Sequence, residues 1–154
     1  MSSGVSSVRE GIERVLLTVW VGGMWAVGYL VAPTLFAILK DKVLAGTIAG
    51  HLFTLMTYVG LISGVLLLVS LFLDAGIRLL QQWRGPVLIG MLAIICLGQF
   101  LLQPRMAALR DTGLSGDNLH AFMRLHGISQ ILFLLVSLGG LALVMFGLRR
   151  KKST

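Results

Sequence analysis

Four stretches of this chain contain no charged side chain and are long enough to cross a lipid bilayer: 15–39, 43–73, 85–104 and 125–148. A hydrocarbon core about 30 Å thick needs about 20 apolar residues in helical form, and each stretch reaches that length. None alternates with a period of two, which excludes a transmembrane β-barrel. The expected fold is all-α: an integral membrane antiparallel four-helix bundle forming a single domain over residues 1–154. Its spans are expected at about 15–38, 47–73, 85–104 and 125–148.

Composition closes off the soluble alternatives. Hydrophobic residues make up 56% of the chain and charged ones 12%, about half the roughly 25% usual in soluble proteins. Too little charge remains to cover a solvated surface. The single cysteine, Cys96, excludes an intrachain disulfide and a cysteine-based metal cluster. The formal charge of +7 does not point to nucleic acid, because the charges occupy short spacers and four of the thirteen cations form the run Arg149, Arg150, Lys151, Lys152. Such a run meets anionic head groups. Ahead of the first span, Arg9 and Arg14 are balanced by Glu10 and Glu13. That segment lacks the net positive start of a cleaved signal peptide, so the first span is read as a retained helix.

Four spans put both termini on one side. The N-terminus, the second connection and the C-terminus carry two, two and four Lys or Arg; the first and third connections carry two and three. Eight against five places both termini in the cytoplasm by the positive-inside rule. The location read from this is the plasma membrane, the inner membrane of a bacterium. Trp83, beside Arg84 and Pro86, fits an aromatic anchor at the inner boundary. Pro33 falls late in helix 1, and Pro104 is expected to end helix 3. A helix over 43–73 is roughly 46 Å long. Helix 4, with Asp117 as its expected N-cap, reaches about the same length. Both long helices should therefore project on the outer side.

Helices in lipid gain little from hydrophobic burial against one another and pack through small residues. Helix 2 offers Gly46/Gly50 and Gly60/Gly64, and the other helices carry glycines too. Packing within the chain is the first reading of these faces; a homo-oligomer is the second.

Polar side chains at membrane depth are costly and usually face a bundle interior or a wet cavity. Here they fall at helical spacing: His51, Thr54 and Tyr58; Cys96, Gln99 and Gln103; His126, Gln130, Phe133 and Ser137. The expectation is a shared polar interior. His51 and His126 each lie about 22 residues before the inner end of their spans, about 33 Å of helix, and so at matched depth near the outer edge. Gln103 and Arg105 close helix 3 at that level, with His120 and Arg124 just beyond.

Three readings of this cluster stand side by side. In the first, histidine and glutamine hydrogen-bond across helices and the arginines meet head groups. In the second, the cluster is a pocket for a small solute or metal ion, with methionines Met106 and Met123 suiting copper. In the third, His51 and His126 ligate a b-type haem for electron transfer. A structural subunit of a membrane complex is a further class. All charged residues lie outside the spans in this reading, so no buried ion pair, acid/base couple or carboxylate proton path is expected. Ser129 near His126 lacks an aspartate and a nucleophile elbow, and Cys96 sits in surroundings that disfavour a thiolate. No enzymatic activity and no obligatory cofactor are expected.

The segments Leu102-Gln103-Pro104-Arg105 with Arg110, and Phe122-Met123-Arg124-Leu125-His126-Gly127-Ile128-Ser129, resemble the transmembrane-protein-205-like domain. Val31-Ala32-Pro33-Thr34-Leu35-Phe36 is similar too, and the resemblance covers nearly the whole chain. It implies a small four-span plasma-membrane protein of a family catalogued as a domain of unknown function and linked loosely to export or resistance. By resemblance Pro104, Arg105, Arg124, His126, Gly127 and Ser129 carry over. The site expected from residues and resemblance together is a pocket at the outer end. Arg105 and Arg124 hold an anionic group there, His126 orients or ligates it, and Gln103, Gln130 and Ser129 surround it.

Overall fold

In the computed structural model, which describes residues 2–148, four helices are long and apolar enough to cross a membrane. They are α1 (Ser7–Ile38), α2 (Lys42–Gln81), α3 (Arg84–Asp111) and α4 (Gly116–Phe146). The described residues form no strand. The helices pack as a ring in which α1 touches α2 and α4, and α3 touches α2 and α4. Within the most apolar stretch of each helix only 22–33% of residues are buried. The outer faces carry Leu30, Ile38, Leu55, Ile62, Leu73 and Met145, all more than half exposed. Such a surface is stable only against lipid. The chain is a multi-pass membrane protein. The cationic run 149–152, on which half of the eight-cation count rests, lies outside the described residues.

The short connections follow from local chemistry. Asp41 caps α2, its Oδ1 accepting from the Val43 and Leu44 amides at 2.9 and 3.0 Å. The α-helical part of α2 ends at Gly76, whose φ of 54° only glycine adopts without strain, and continues as 3₁₀ turns to Gln81. At the start of α4 the expected cap is corrected. Ser115 holds the N-cap position with an extended backbone, and Asp117 lies inside the first turn, where its charge complements the helix dipole.

Pro104 does not end helix 3. A π-helical turn, Gly98–Leu102, precedes it, and the helix resumes as Gln103–Asp111. Pro33 behaves alike: the π turn Ala26–Val31 ends two residues before it and Ala32–Ile38 follows. Proline lacks an N–H and its ring crowds the carbonyl four residues back, here Tyr29 and Phe100. Both carbonyls lie inside the widened turns, which lets each helix pass its proline.

The core centres on Trp20, Leu67, Leu88 and Leu143, each at most 1% exposed. The Trp20 indole packs on α2 where Gly60 and Gly64 leave room. A Cβ on Gly60 would stand 2.5 Å from Trp20 Nε1, and one on Gly64 3.1 Å from the ring. This glycine pair therefore serves packing within the chain. At mid-depth Phe133 meets Tyr29 and Phe53 edge-on, with centroids 5.5 and 5.6 Å away. At the end where α2 joins α3, Arg84 donates to the Phe146 carbonyl at 3.1 Å and lies 5.2 Å from the Trp83 ring centroid, and Trp83 meets Phe146 edge-on, so the two residues close the end of α4.

The start of helix 1 also departs from the sequence-based expectation. Helix formation starts at Ser2 rather than near residue 15, and Glu13 is 6% exposed. Arg9 Nε lies 3.5 Å from Glu13 Oε1, and Ser70 of α2 donates to the same carboxylate. A half-buried ion pair, with its carboxylate buried, is thus present. The uncharged stretch marks the apolar part of α1, but the helix extends further and packs its charged turn on α2.

Candidate functional site

The end of the bundle where α3 meets α4 is built by α3 running past Pro104 and turning tightly into α4. Thr112 and Gly113 close the turn through backbone bonds to Ala108 and Arg110, with Gly113 at φ 91°. Asn118 Nδ2 donates to Thr112 Oγ1 at 3.3 Å and to the Gly113 carbonyl at 3.4 Å. On α3, Arg105, Ala108, Leu109 and Thr112 share one face at spacings of three and four. Together with Asn118 and Leu125 of α4 they line an open recess of about 510 Å³. Its polar groups are a guanidinium, a hydroxyl and an amide, set on an apolar floor.

Of the expected pocket residues, Arg105 lines this recess. Gln103 is half-buried on α3, and Arg124 is exposed on α4. Ser129 donates to the Leu125 carbonyl at 3.0 Å and lies 4.0 Å from the buried Met106 sulfur. His126 is exposed, stacks on Phe122 with centroids 5.9 Å apart, and its Nε2 lies 3.3 Å from Gln130 Nε2. These contacts run along α4 itself, one turn in each direction.

The polar stripes do not converge. His51, Tyr58, Cys96, His126 and Gln130 are exposed, and Ser137 alone of the ten stripe residues is buried. The reason on α2 is competition for one face. Ala45, Ala49, Gly60 and Gly64 occupy the packed side, and His51 follows Ala49 by two residues, about 200° around the helix. His51 and His126 both sit toward the end of the bundle where α3 meets α4, on exposed surfaces. Among the described residues no three His, Cys, Asp or Glu side chains gather to hold a metal ion.

Arg110 is the residue that periodicity missed. Its guanidinium lies 5.9 Å from the Phe122 centroid, and its Nη1 would be 3.9 Å from a Cβ on Gly50. It thereby joins α3 to both long helices. The signal for it was the glycine at position 50, which leaves space for a long side chain from α3.

The fold and this site define a small all-α membrane protein with polar side chains gathered where α3 meets α4. More particularly, a family model described as a domain of unknown function, DUF4149, matches residues 15–115, and the chain belongs to that family. The match takes in α1 beyond its charged turn, α2, α3 and the turn to Ser115, including Arg105 and Thr112. Comparisons with curated proteins and with solved structures returned no match.

Proposed function

We propose that this protein binds a small anionic solute at the outer end of the bundle, as a binding or transport-associated component, with Arg105 as the principal contact. The observation that carries this reading is the open recess of about 510 Å³ in which Arg105 stands beside Thr112 and Asn118. Guanidinium presents forked donors that match carboxylate, sulfate or phosphate oxygens, while Thr112 and Asn118, whose donors are engaged within the turn, hold the wall of the recess in place. A guanidinium holds an anion without transforming it, which supports a binding rather than a catalytic role. Arg124 and His126 act from the neighbouring surface of α4, Arg124 through its charge and His126 through the order it gives to Phe122 and Gln130.

The orientation proposed is both termini cytoplasmic in the plasma membrane, supported by eight inner against five outer cations. The recess then faces outward. Within the family, the finer likeness to the transmembrane-protein-205-like domain rests on Pro104-Arg105 and on Arg124-Leu125-His126-Gly127.

Thermal unfolding of the purified protein in detergent tests the reading. Sodium phosphate, sulfate and citrate are compared with chloride at equal ionic strength. A ligand of the native state raises the midpoint by mass action. At least one of these anions is expected to raise it in the wild type and not in Arg105→Gln. No anion-specific rise, or an equal rise in the variant, would overturn the proposal.

A further inference from the structure

Among the described residues Arg105 makes no hydrogen bond and no ion pair, and no acidic side chain lines its recess. All five guanidinium N–H groups are therefore open to a ligand. The two neutral polar neighbours are not. Thr112 Oγ1 donates to the Ala108 and Leu109 carbonyls at 3.2 and 3.1 Å, and the Asn118 amide is spent on Thr112 and Gly113. What the recess offers a ligand is thus one unpaired positive charge and an apolar floor made by Ala108 and Leu109 of α3 and Leu125 of α4.

The position of the recess gives that floor a direction. Arg105 directly follows the uncharged stretch 85–104, so its charge stands at the membrane boundary. Leu101 comes four residues before Arg105 on α3, and Ile128 three residues after Leu125 on α4. They lie about 6 and about 4.5 Å further into the membrane along their helices. Their side chains are 47% and 46% exposed, so apolar surface continues inward from the floor. An inorganic oxyanion in the recess gains the guanidinium alone. An alkyl chain on the same anion also covers the floor, and each buried methylene strengthens binding by up to about four-fold. The floor is a strip of three side chains, which seats one chain and has no second apolar row for another.

We infer that the ligand of Arg105 is an amphiphilic oxyanion with a single alkyl chain, its head group on the guanidinium and its chain on Ala108, Leu109 and Leu125, pointing toward Leu101 and Ile128. This rests on the anion-binding role proposed above and names the class of solute.

Isothermal calorimetry of the full chain in neutral maltoside micelles tests it. Methyl phosphate, hexyl phosphate and dihexanoyl phosphatidic acid are injected separately at constant ionic strength, and the heat of each injection into protein-free micelles is subtracted. In the wild type hexyl phosphate is expected to bind at least about ten-fold tighter than methyl phosphate, and the two-chain lipid no tighter than hexyl phosphate. Arg105→Gln should weaken both alkyl phosphates by about ten-fold or more. Ala108→Gln, at an exposed position, puts a polar side chain on the floor. It should bring hexyl phosphate close to methyl phosphate and leave methyl phosphate unchanged. Arg14→Gln, at the opposite end of the bundle, should change nothing. Equal binding of methyl and hexyl phosphate, both lost in Arg105→Gln, would overturn this inference and leave the anion-binding role standing. Hexyl phosphate binding that survives Arg105→Gln, a chain-length gain that survives Ala108→Gln, or tighter binding of the two-chain lipid would also overturn it. Absence of any binding that depends on Arg105 would remove both.

Discussion

Tyr29 of α1 donates a hydrogen bond of 3.2 Å to Ser137 of α4, across the side of the bundle where Phe133 packs between helices. Ser137 is 4% exposed, so its hydroxyl has no water to turn to when the bond is lost. Interhelical hydrogen bonds in membranes are worth about 0.6 kcal/mol on average and up to about 1.7. Tyr29→Phe and Ser137→Ala should each lower the unfolding free energy in mixed micelles by about 0.5–1.5 kcal/mol. The double variant should lose less than the sum of the two, because both single changes remove one bond. Full additivity would show that the two residues act separately.

The contact between Trp20 and Gly60 gives a stronger prediction. A side chain at position 60 meets the indole at once, whereas Gly90 has nothing within 4 Å of a built Cβ. Gly60→Val should destabilise the bundle by about 1–3 kcal/mol through overpacking. Gly90→Ala should be neutral or stabilising by up to about 1 kcal/mol, the helix-propensity gain. Thermal melts of the two variants side by side check this. A neutral Gly60→Val would mean that Trp20 is not seated on α2.

The histidines make a third, spectroscopic prediction. His51 and His126 are both exposed, and the His126 ring is already engaged with Phe122 and Gln130. Protein purified from haem-replete cells should show no Soret band. A Soret band lost in both His51→Ala and His126→Ala would instead establish bis-histidine ligation.

What was legible in the sequence was what bilayer thickness dictates. The uncharged stretches located four helices, and the length of 43–73 announced a long second helix, which runs over Lys42–Gln81. The role of Gly60/Gly64 in packing within the chain was also readable, because small residues at that spacing have few other uses in lipid. Lateral placement was not. Periodicity groups His51 with Tyr58 on one face of α2, but only the partners of α2 decide which face turns inward, and Trp20 and the alanines decided against the histidine. Glu13 was missed for a related reason. A carboxylate four residues after an arginine on a helix reads as a solvated pair, and its burial depends on Ser70, distant in sequence. Spacing alone put Arg105 just past Pro104, at the end of helix 3. Thr112 and Asn118, its neighbours in the recess, come from a turn whose closure no spacing rule specifies.

Direct titration of the outer recess tests the central claim. Isothermal calorimetry of the full chain in detergent, with phosphate, sulfate and citrate injected separately at constant ionic strength, measures binding without reference to stability. A charge-assisted contact contributes about 1.5–3 kcal/mol, so Arg105→Gln should weaken binding by roughly 10- to 150-fold. Arg124→Gln, at an exposed position outside the recess lining, should weaken it by less than about three-fold through screened long-range charge. Saturable binding of one of these anions with that ranking is the predicted result. Saturable binding that survives Arg105→Gln unchanged, or no saturable binding of any of the three, would contradict it.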